Sequence, residues 1–170
     1  AHHDSWHSCP GAPDDADGAS VVLEAMRIFN SIGVKPRRTI HMALWSGEEE
    51  GLLGSNSYVQ KYLAGEANKA ARDNFDVYFN QDPGTGPIYG WYLENNAAVK
   101  PIFDAWLEPF KDLGARRNIM QPIGSTDHVS FIRGAGVPAF NAVQDYDLYD
   151  TRIHHTNMDT MDRMKPDDIK

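Results

Sequence analysis

Apolar runs and amphipathic segments alternate along the chain, and polar loops separate them. Short, almost continuously apolar runs occur at 39–45, 74–80 and 136–143, which is typical of strands covered on both faces of a parallel sheet. Residues 88–93 are a candidate for a further strand. Apolar positions at helical spacing predict helices at 17–32, 52–62, 99–113 and 125–131. The alternation predicts an α/β fold.

Capping residues and helix breakers set the expected ends of these helices. Asp17 is the expected N-cap of the first helix, and Gly33 followed by Pro36 ends it. Ser125 or Thr126 is the expected cap of the short helix at 125–131.

Two further helix predictions concern the second half of the chain. The segment at 99–113 carries an aromatic stripe that we expect in the core, and Gly114 closes it. Pro166, with Asp167 and Asp168 behind it, predicts the first turn of a last helix.

Carboxylates collect where the predicted strands end. Glu48, Glu49 and Glu50 follow the run at 39–45, and Asp82 follows the run at 74–80. Open α/β sheets bind their ligands at the carboxyl edge, so these residues indicate a site. Two plainer interpretations stay open. The glutamates could be a solvated charge run, and an aspartate before Pro-Gly could simply form a turn.

The N-terminal loop contains two further residues without a structural explanation. His2-x-Asp4 has the arrangement of a metal ligand followed by a carboxylate that orients its imidazole, although a disordered terminus or a purification tag would also explain the histidine pair. In the loop at 11–18, Asp17 is explained as a cap and another aspartate by the helix dipole. Asp14 is left unexplained.

The composition narrows the chemistry. A chain of 170 residues with 41% hydrophobic content can bury one core, so a single domain is expected. The net charge of −8 argues against a nucleic-acid partner, and no apolar run approaches the length of a membrane span. Because Cys9 is the only cysteine, a metal must be held by His, Asp and Glu, a set that suits zinc, manganese or cobalt.

Taken together, these motifs resemble the co-catalytic di-zinc exopeptidases, which include bacterial leucyl aminopeptidases, plasma glutamate carboxypeptidase and glutamate carboxypeptidase II. The matching blocks fall in the family's order and span nearly all of the chain. They are His2-x-Asp4, Gly11-Ala-x-Asp-Asp15 with Gly18, Glu48-Glu49-x-Gly-Leu-x-Gly-Ser55, Asp82, Thr126-Asp-His128 and His155-Thr-x-x-Asp159.

The resemblance implies a peptide substrate and two Zn²⁺ ions per chain, with Mn²⁺ or Co²⁺ as alternatives. It makes Asp14 the bridging ligand, shared by two sites. The ligands that complete the first site are His2 and Asp82, and those that complete the second are Glu49 and His155.

The same resemblance assigns the remaining roles. Glu48 is the general base, and His154 is the expected oxyanion donor, at a position where many members carry Tyr. Asp4 and Asp159 are expected to orient His2 and His155. The residues expected to contact substrate are His128, Tyr149 and Phe131, with core packing as the other use open to Phe131 and Tyr149. Independently of the resemblance, the polar loop from Gln144 to Arg152, rich in Tyr and Asp, suits the wall of a pocket. A second departure from the family is Asp17, where many members carry Ser.

For the fold, the resemblance implies a three-layer α/β/α sandwich with a mostly parallel central sheet. Residues 1–170 are expected to form one catalytic metallopeptidase domain that is partial, because the family sheet has strands upstream of His2 and a helix would follow Lys170. Family members also suggest a secreted or periplasmic location.

The expected function is hydrolysis of a terminal peptide bond, with an aminopeptidase favoured over a carboxypeptidase. Two alternatives stay open. A single-zinc glutaminyl cyclase uses the same scaffold as a transferase and typically lacks the complete two-metal set. A binding module similar to the transferrin receptor ectodomain would have lost ligands, whereas all five ligand positions are filled here.

Overall fold

A computed structural model describes residues 1–82, 84–115, 117–144 and 148–167. The α-helices of these residues are α1 (Asp17–Ser31), α2 (Leu53–Tyr62), α3 (Lys69–Asp73), α4 (Lys100–Leu107) and α5 (His128–Ala135). The strands are β1 (Tyr78–Asn80), β2 (Gly90–Tyr92) and β3 (Ala139–Val143). Short 3₁₀ helices lie at Glu66–Asn68, Glu108–Leu113 and Met161–Arg163, and π-helical turns at Ala12–Ala16 and Tyr149–Ile153. The described helices are all too short or too polar to span a bilayer.

The three strands form one mixed sheet in the order β1-β3-β2. β1 runs parallel to β3, with Tyr78 opposite Ala139. β2 runs antiparallel to β3, with Gly90 opposite Val143. The predicted α/β fold is confirmed, and every residue of the central strand β3 is buried, as its apolar sequence predicted.

Helices cover both faces of this sheet because successive strand residues point to opposite sides. On one face, Ala139 packs in a cluster with Val59 of α2, Leu63 just after α2, and Phe131 of α5. On the other face, Phe140 packs against Phe103 of α4, with the ring centroids 4.8 Å apart. The result is a layer of helices on each side of a small sheet.

The prediction of a buried strand at 39–45 was wrong in detail. Trp45 forms a single parallel bridge with His2, while residues 39–44 join no strand ladder within the described part of the chain. Ile40 and Met42 are accordingly exposed. A strand needs a partner for its backbone groups, and among the residues that the structure describes only 1–3 supply one. That bridge nevertheless brings the acidic turn beside His2.

The long helix predicted at 99–113 changes character halfway. The α-helix ends at Leu107 and a 3₁₀ helix continues to Leu113, because Pro109 lacks the N–H that an α-helix would use. Phe103 is buried, but Trp106 and Phe110 are 51% and 54% exposed, so the aromatic stripe is only partly core. Gly114 ends the segment with φ 93°, as expected.

The predicted caps are not the ones used. Asp17 is the first residue of α1 and not its N-cap. The Gly18 N–H donates to the Asp17 carboxylate at 2.6 Å and to the Asp15 carboxylate at 3.2 Å. Thr126 does not cap α5, because its hydroxyl oxygen accepts bonds from the Asp127 N–H and from Asn80.

The helix predicted to start at Pro166 is not seen in the described residues. The chain forms a turn at 166–167, and Asp168 lies outside the described residues.

Candidate metal centre

Five separate segments bring the predicted ligands together. His2 is placed by its bridge to Trp45, and Asp14 lies in the loop that enters α1. Glu49 belongs to the turn before α2, Asp82 follows β1, and His155 follows the turn at Tyr149–Ile153. The sequence separations are large, so only the fold unites these side chains.

The first group consists of His2, Asp14 and Asp82, all buried, with ligand atoms within 4.8 Å of one another. His2 Nε2 lies 3.0 Å from Asp14 Oδ1 and 3.6 Å from Asp82 Oδ1. One imidazole nitrogen and two carboxylate oxygens converge on one point, which is a suitable partial shell for zinc.

The second group is built around the other oxygen of Asp14. His155 Nε2 lies 3.7 Å from Asp14 Oδ2 and 3.0 Å from Glu49 Oε2. The described side chains that could hold an ion also include Asp14, His154 and His155 as a set. Asp14 thus belongs to both groups, one carboxylate oxygen facing each. His154, expected as an oxyanion donor, stands close enough to serve as a ligand instead.

The electrostatics of the cluster favour a bound cation. Burial and the charge of Asp82 raise the pKa of Glu48 to about 9, and burial and the charge of Asp14 raise that of Glu49 to about 8. Glu49 Oε1 is buried and has no hydrogen-bond partner among the described residues. Buried carboxylates that repel one another need a positive charge, so the donor set fits divalent ions.

In the metal-free protein, protonated His2 supplies one part of that positive charge, and it must release its proton to bind an ion through Nε2. Burial lowers the pKa of His2, but the hydrogen bonds to Asp14 and Asp82 outweigh it and the net pKa is raised. Burial likewise raises the pKa of Asp14, yet the hydrogen bonds from His2 and Tyr149 lower it overall. Asp14 is therefore held in its anionic form, as a bridging ligand must be.

The two carboxylates expected to orient the histidines make different contacts. The Asp4 carboxylate accepts the N–H groups of Glu48 and Glu49, each at 3.2 Å. His2 Nδ1 lies nearer to the Asp4 carbonyl oxygen, at 3.0 Å, than to its carboxylate, at 3.5 Å. Asp4 thus fixes the acidic turn as well as His2.

Asp159 likewise departs from its expected role. Its carboxylate accepts the N–H of Asp14 at 3.3 Å and the thiol of Cys9 at 3.6 Å. It therefore supports the bridging loop through a backbone group, and it is not paired with His155.

The residues expected to contact substrate are all buried. His128 is fully enclosed with its Nε2 3.2 Å from Glu94 Oε1, and Phe131 stacks on Tyr78 in the core at 4.3 Å. Tyr149 donates its hydroxyl hydrogen to Asp14 Oδ2 at 2.6 Å. The expectation of substrate contact is thus corrected for His128 and Phe131, because Phe131 packs in the core and His128 is enclosed beside Glu94. Of the loop predicted to form a pocket wall, Asp145 to Asp147 lie outside the described residues.

Sequence reasoning missed the residues that support Asp82. Asn141 of β3 donates to the Asp82 carbonyl oxygen, and Asn80 donates to Asn141 and to Thr126. The available signal was the presence of amides inside two otherwise apolar runs, since a buried amide needs partners. Trp6 was missed as well. Its ring lies 5.1 Å from that of His155.

Comparison with known proteins bears directly on this geometry. The family model described as Peptidase family M28 matches residues 1–170. Carboxypeptidase Q of Xenopus laevis is 29% identical over 173 residues, covering 97% of this chain and 33% of that protein. The Peptidase M28 precursor of Shewanella amazonensis SB2B superposes with a TM-score of 0.82 at 30% identity, covering 99% of this chain and 36% of that one. BSAP, a zinc aminopeptidase from Bacillus subtilis, gives 0.77 at 26% identity, covering 99% and 41%. The chain spans about a third of the length of the curated relatives it matches.

Proposed function

The chain belongs to peptidase family M28, and from that premise we propose that it forms the two-metal catalytic centre of a zinc exopeptidase. The observation that carries the proposal is the position of Asp14, whose two carboxylate oxygens face two separate groups of ligands. His2 and Asp82 would complete one ion site, and Glu49 and His155 the other. When bound, zinc supplies a Lewis acid for the scissile carbonyl and an activated water.

Glu48 is the proposed general base. Its side chain is buried beside the cluster, and its backbone is fixed by the Asp4 carboxylate. Cations in the neighbouring groups would lower its raised pKa again, leaving a desolvated carboxylate that can accept a proton. Glu48 would then pass that proton to the nitrogen of the leaving amine.

His154 is the proposed donor to the oxyanion that develops on the carbonyl oxygen. It is exposed, its ring centroid lies 3.7 Å from that of His155 with the planes tilted by 43°, and it contacts the ring of Tyr149 at 4.9 Å. These contacts support an imidazole at the edge of the second group, open to a substrate from the solvent side.

The charges around the centre favour a substrate with a free amino terminus. The described Lys and Arg side chains that form ion pairs all pair with acidic residues outside the cluster. A substrate carboxylate would therefore meet mainly like charge, whereas an α-ammonium group would be attracted. This supports an aminopeptidase over a carboxypeptidase. A secreted or periplasmic location stays a prediction from the family resemblance.

The test separates the neighbouring glutamates. Glu48→Gln should keep both zinc ions and lose turnover by about 10²- to 10⁴-fold, the usual loss on removing a general base. Glu50→Gln is the matched control, since Glu50 is exposed and should leave both zinc content and turnover unchanged. Zinc is counted by elemental analysis, and turnover is measured on free and N-blocked dipeptides.

Specific outcomes would contradict the proposal. An inactive Glu50→Gln beside an active Glu48→Gln would show that the assigned register is wrong. One zinc ion per wild-type chain would favour the glutaminyl cyclase alternative. Cleavage of N-blocked dipeptides as fast as free ones would exclude recognition of the amino terminus.

A further inference from the structure

His155 occupies an unusual setting for a residue that must present one nitrogen at a fixed point. Its side chain is 41% exposed, and its backbone lies in the left-handed region at φ 59°, which costs a non-glycine residue stability. Nevertheless its Nε2 is 3.0 Å from Glu49 Oε2. An exposed imidazole keeps such a position only if other groups hold its ring.

The carboxylate expected to hold that ring is engaged elsewhere. Asp159 Oδ1 accepts the Asp14 N–H, and Oδ2 accepts the Cys9 thiol. The orientation of His155 therefore needs another source.

Aromatic contacts supply that source. The indole of Trp6 lies 5.1 Å from the His155 ring, tilted by 53°. The His154 ring lies 3.7 Å from the His155 ring. Trp6 Nε1 is buried and has no hydrogen-bond partner within the described part of the chain. An unpaired buried donor is unfavourable, so polar bonding does not explain why the indole is placed here. Ring packing against His155 does.

The turn that carries Trp6 is itself tied to the bridging loop. The Cys9 N–H donates to the Trp6 carbonyl oxygen at 3.1 Å, and the Ser5 hydroxyl donates to the Cys9 carbonyl oxygen at 3.3 Å. The Cys9 thiol then reaches Asp159, which accepts the Asp14 N–H. Trp6 and Asp14 therefore belong to one connected network, and the indole has a fixed relation to the cluster.

We propose that Trp6 is a positioning residue for His155, holding the imidazole so that Nε2 faces Glu49 and Asp14. The inference rests on the proposed function, because the indole of Trp6 would support a ligand of the second ion site. The indole itself is neither a ligand nor a carboxylate. Loss of such an outer partner typically weakens metal binding by about 10- to 100-fold.

The experiment measures two stepwise zinc dissociation constants by chelator competition in the full protein. A His155→Ala reference identifies the step that belongs to His155. Trp6→Ala should weaken zinc binding in the His155 step by about 10- to 100-fold and leave the other step within about threefold of wild type. Trp6→Phe should bind zinc in the His155 step as the wild type does, because a ring is retained. Trp106→Ala is the matched control, since Trp106 is exposed and its ring contacts are to Phe79 and Phe103.

A second measurement needs no metal. In the zinc-free protein, the ring protons of His155 should shift in the NMR spectrum of Trp6→Ala and not in that of Trp106→Ala. If Trp6→Ala fails to fold in a thermal melt, Trp6→Leu, which keeps apolar bulk without a ring, replaces it in both measurements.

The results separate this inference from the proposed function. Fewer than two zinc ions in the wild-type protein would refute the proposed function, while the NMR measurement would still decide the contact. Two ions in the wild type together with an unchanged His155 step in Trp6→Ala would overturn the role of Trp6. Equal weakening of both steps would also overturn it, because a general structural defect would then explain the loss.

Discussion

The hydroxyl of Tyr149 offers a sharp test of how the bridging carboxylate is held. Tyr149 is buried and donates to Asp14 Oδ2 at 2.6 Å, so Tyr149→Phe removes one donor from the shared ligand while keeping the ring. His155, 3.7 Å away, is then the nearest described partner of that oxygen. We expect Tyr149→Phe to weaken zinc binding, although Tyr149 is not one of the proposed ligands.

The size of the effect follows from the acceptor's charge. A hydrogen bond to a charged group contributes about 1.5–3 kcal/mol, which corresponds to about 10- to 100-fold in a binding constant. The same bond helps to lower the pKa of Asp14. Because its pKa is lower in the folded protein than in the unfolded chain, Asp14 stabilises the fold above the unfolded pKa. This stabilisation is lost as the pH falls through the folded pKa. Without the hydroxyl, the Asp14 pKa rises, so protons should displace zinc at a higher pH in the variant.

The assay is zinc competition between pH 4 and 8, combined with steady-state kinetics at saturating zinc. Tyr62→Phe is the control because the Tyr62 side chain is exposed on α2. An increase in KM with unchanged zinc affinity would refute the reasoning, since Tyr149 would then act on substrate, as the sequence first suggested. Equal effects of the two variants would refute it too.

Two further predictions concern the second group and the whole cluster. His154→Phe should lower turnover more than zinc affinity if His154 is an oxyanion donor, and equal losses in both measurements would make it a ligand. Zinc removal should destabilise the protein more at high pH. The pKa values of Glu48 and Glu49 rise from the ordinary 4.5 to about 9 and about 8, so the stability of the zinc-free protein is fully present below the ordinary value and falls as the pH rises from there to the folded values. The melting temperature of chelator-treated protein should therefore fall between pH 6 and 9, and a rise would contradict the assignment.

The sequence predicted those parts of the fold that depend on local patterns. β3 and α2 occur close to where their apolar spacing placed them, because each pattern has a partner within the chain. Residues 39–45 have the same kind of pattern but pair only at Trp45, since a strand also needs a neighbour with matching backbone groups. The α-helix predicted at 99–113 ends at Leu107 for a local reason, the proline at 109.

For the candidate site, the sequence identified residues but not their partners. His2, Asp14 and Asp82 could be singled out because each lacked a structural reason to be where it is. Which carboxylate supports which histidine could not be read from the sequence. Those pairings depend on differences of a few tenths of an ångström in the distances between atoms of separate loops. Asp159, for example, contacts the Asp14 backbone although it is only four residues from His155.

Several costs that this fold carries lie around Asp14, and their grouping there is itself an argument about function. Glu49 has a buried oxygen without a partner in the described residues, His155 has left-handed backbone, and Asp15 is a buried carboxyl whose pKa burial and Asp82 raise well above the usual range. Each such feature costs about 1–3 kcal/mol or more. A chain selected for stability alone would not gather them around Asp14. Divalent ions would offset most of these costs together, because one positive centre neutralises several carboxylates and fixes the imidazole that faces them.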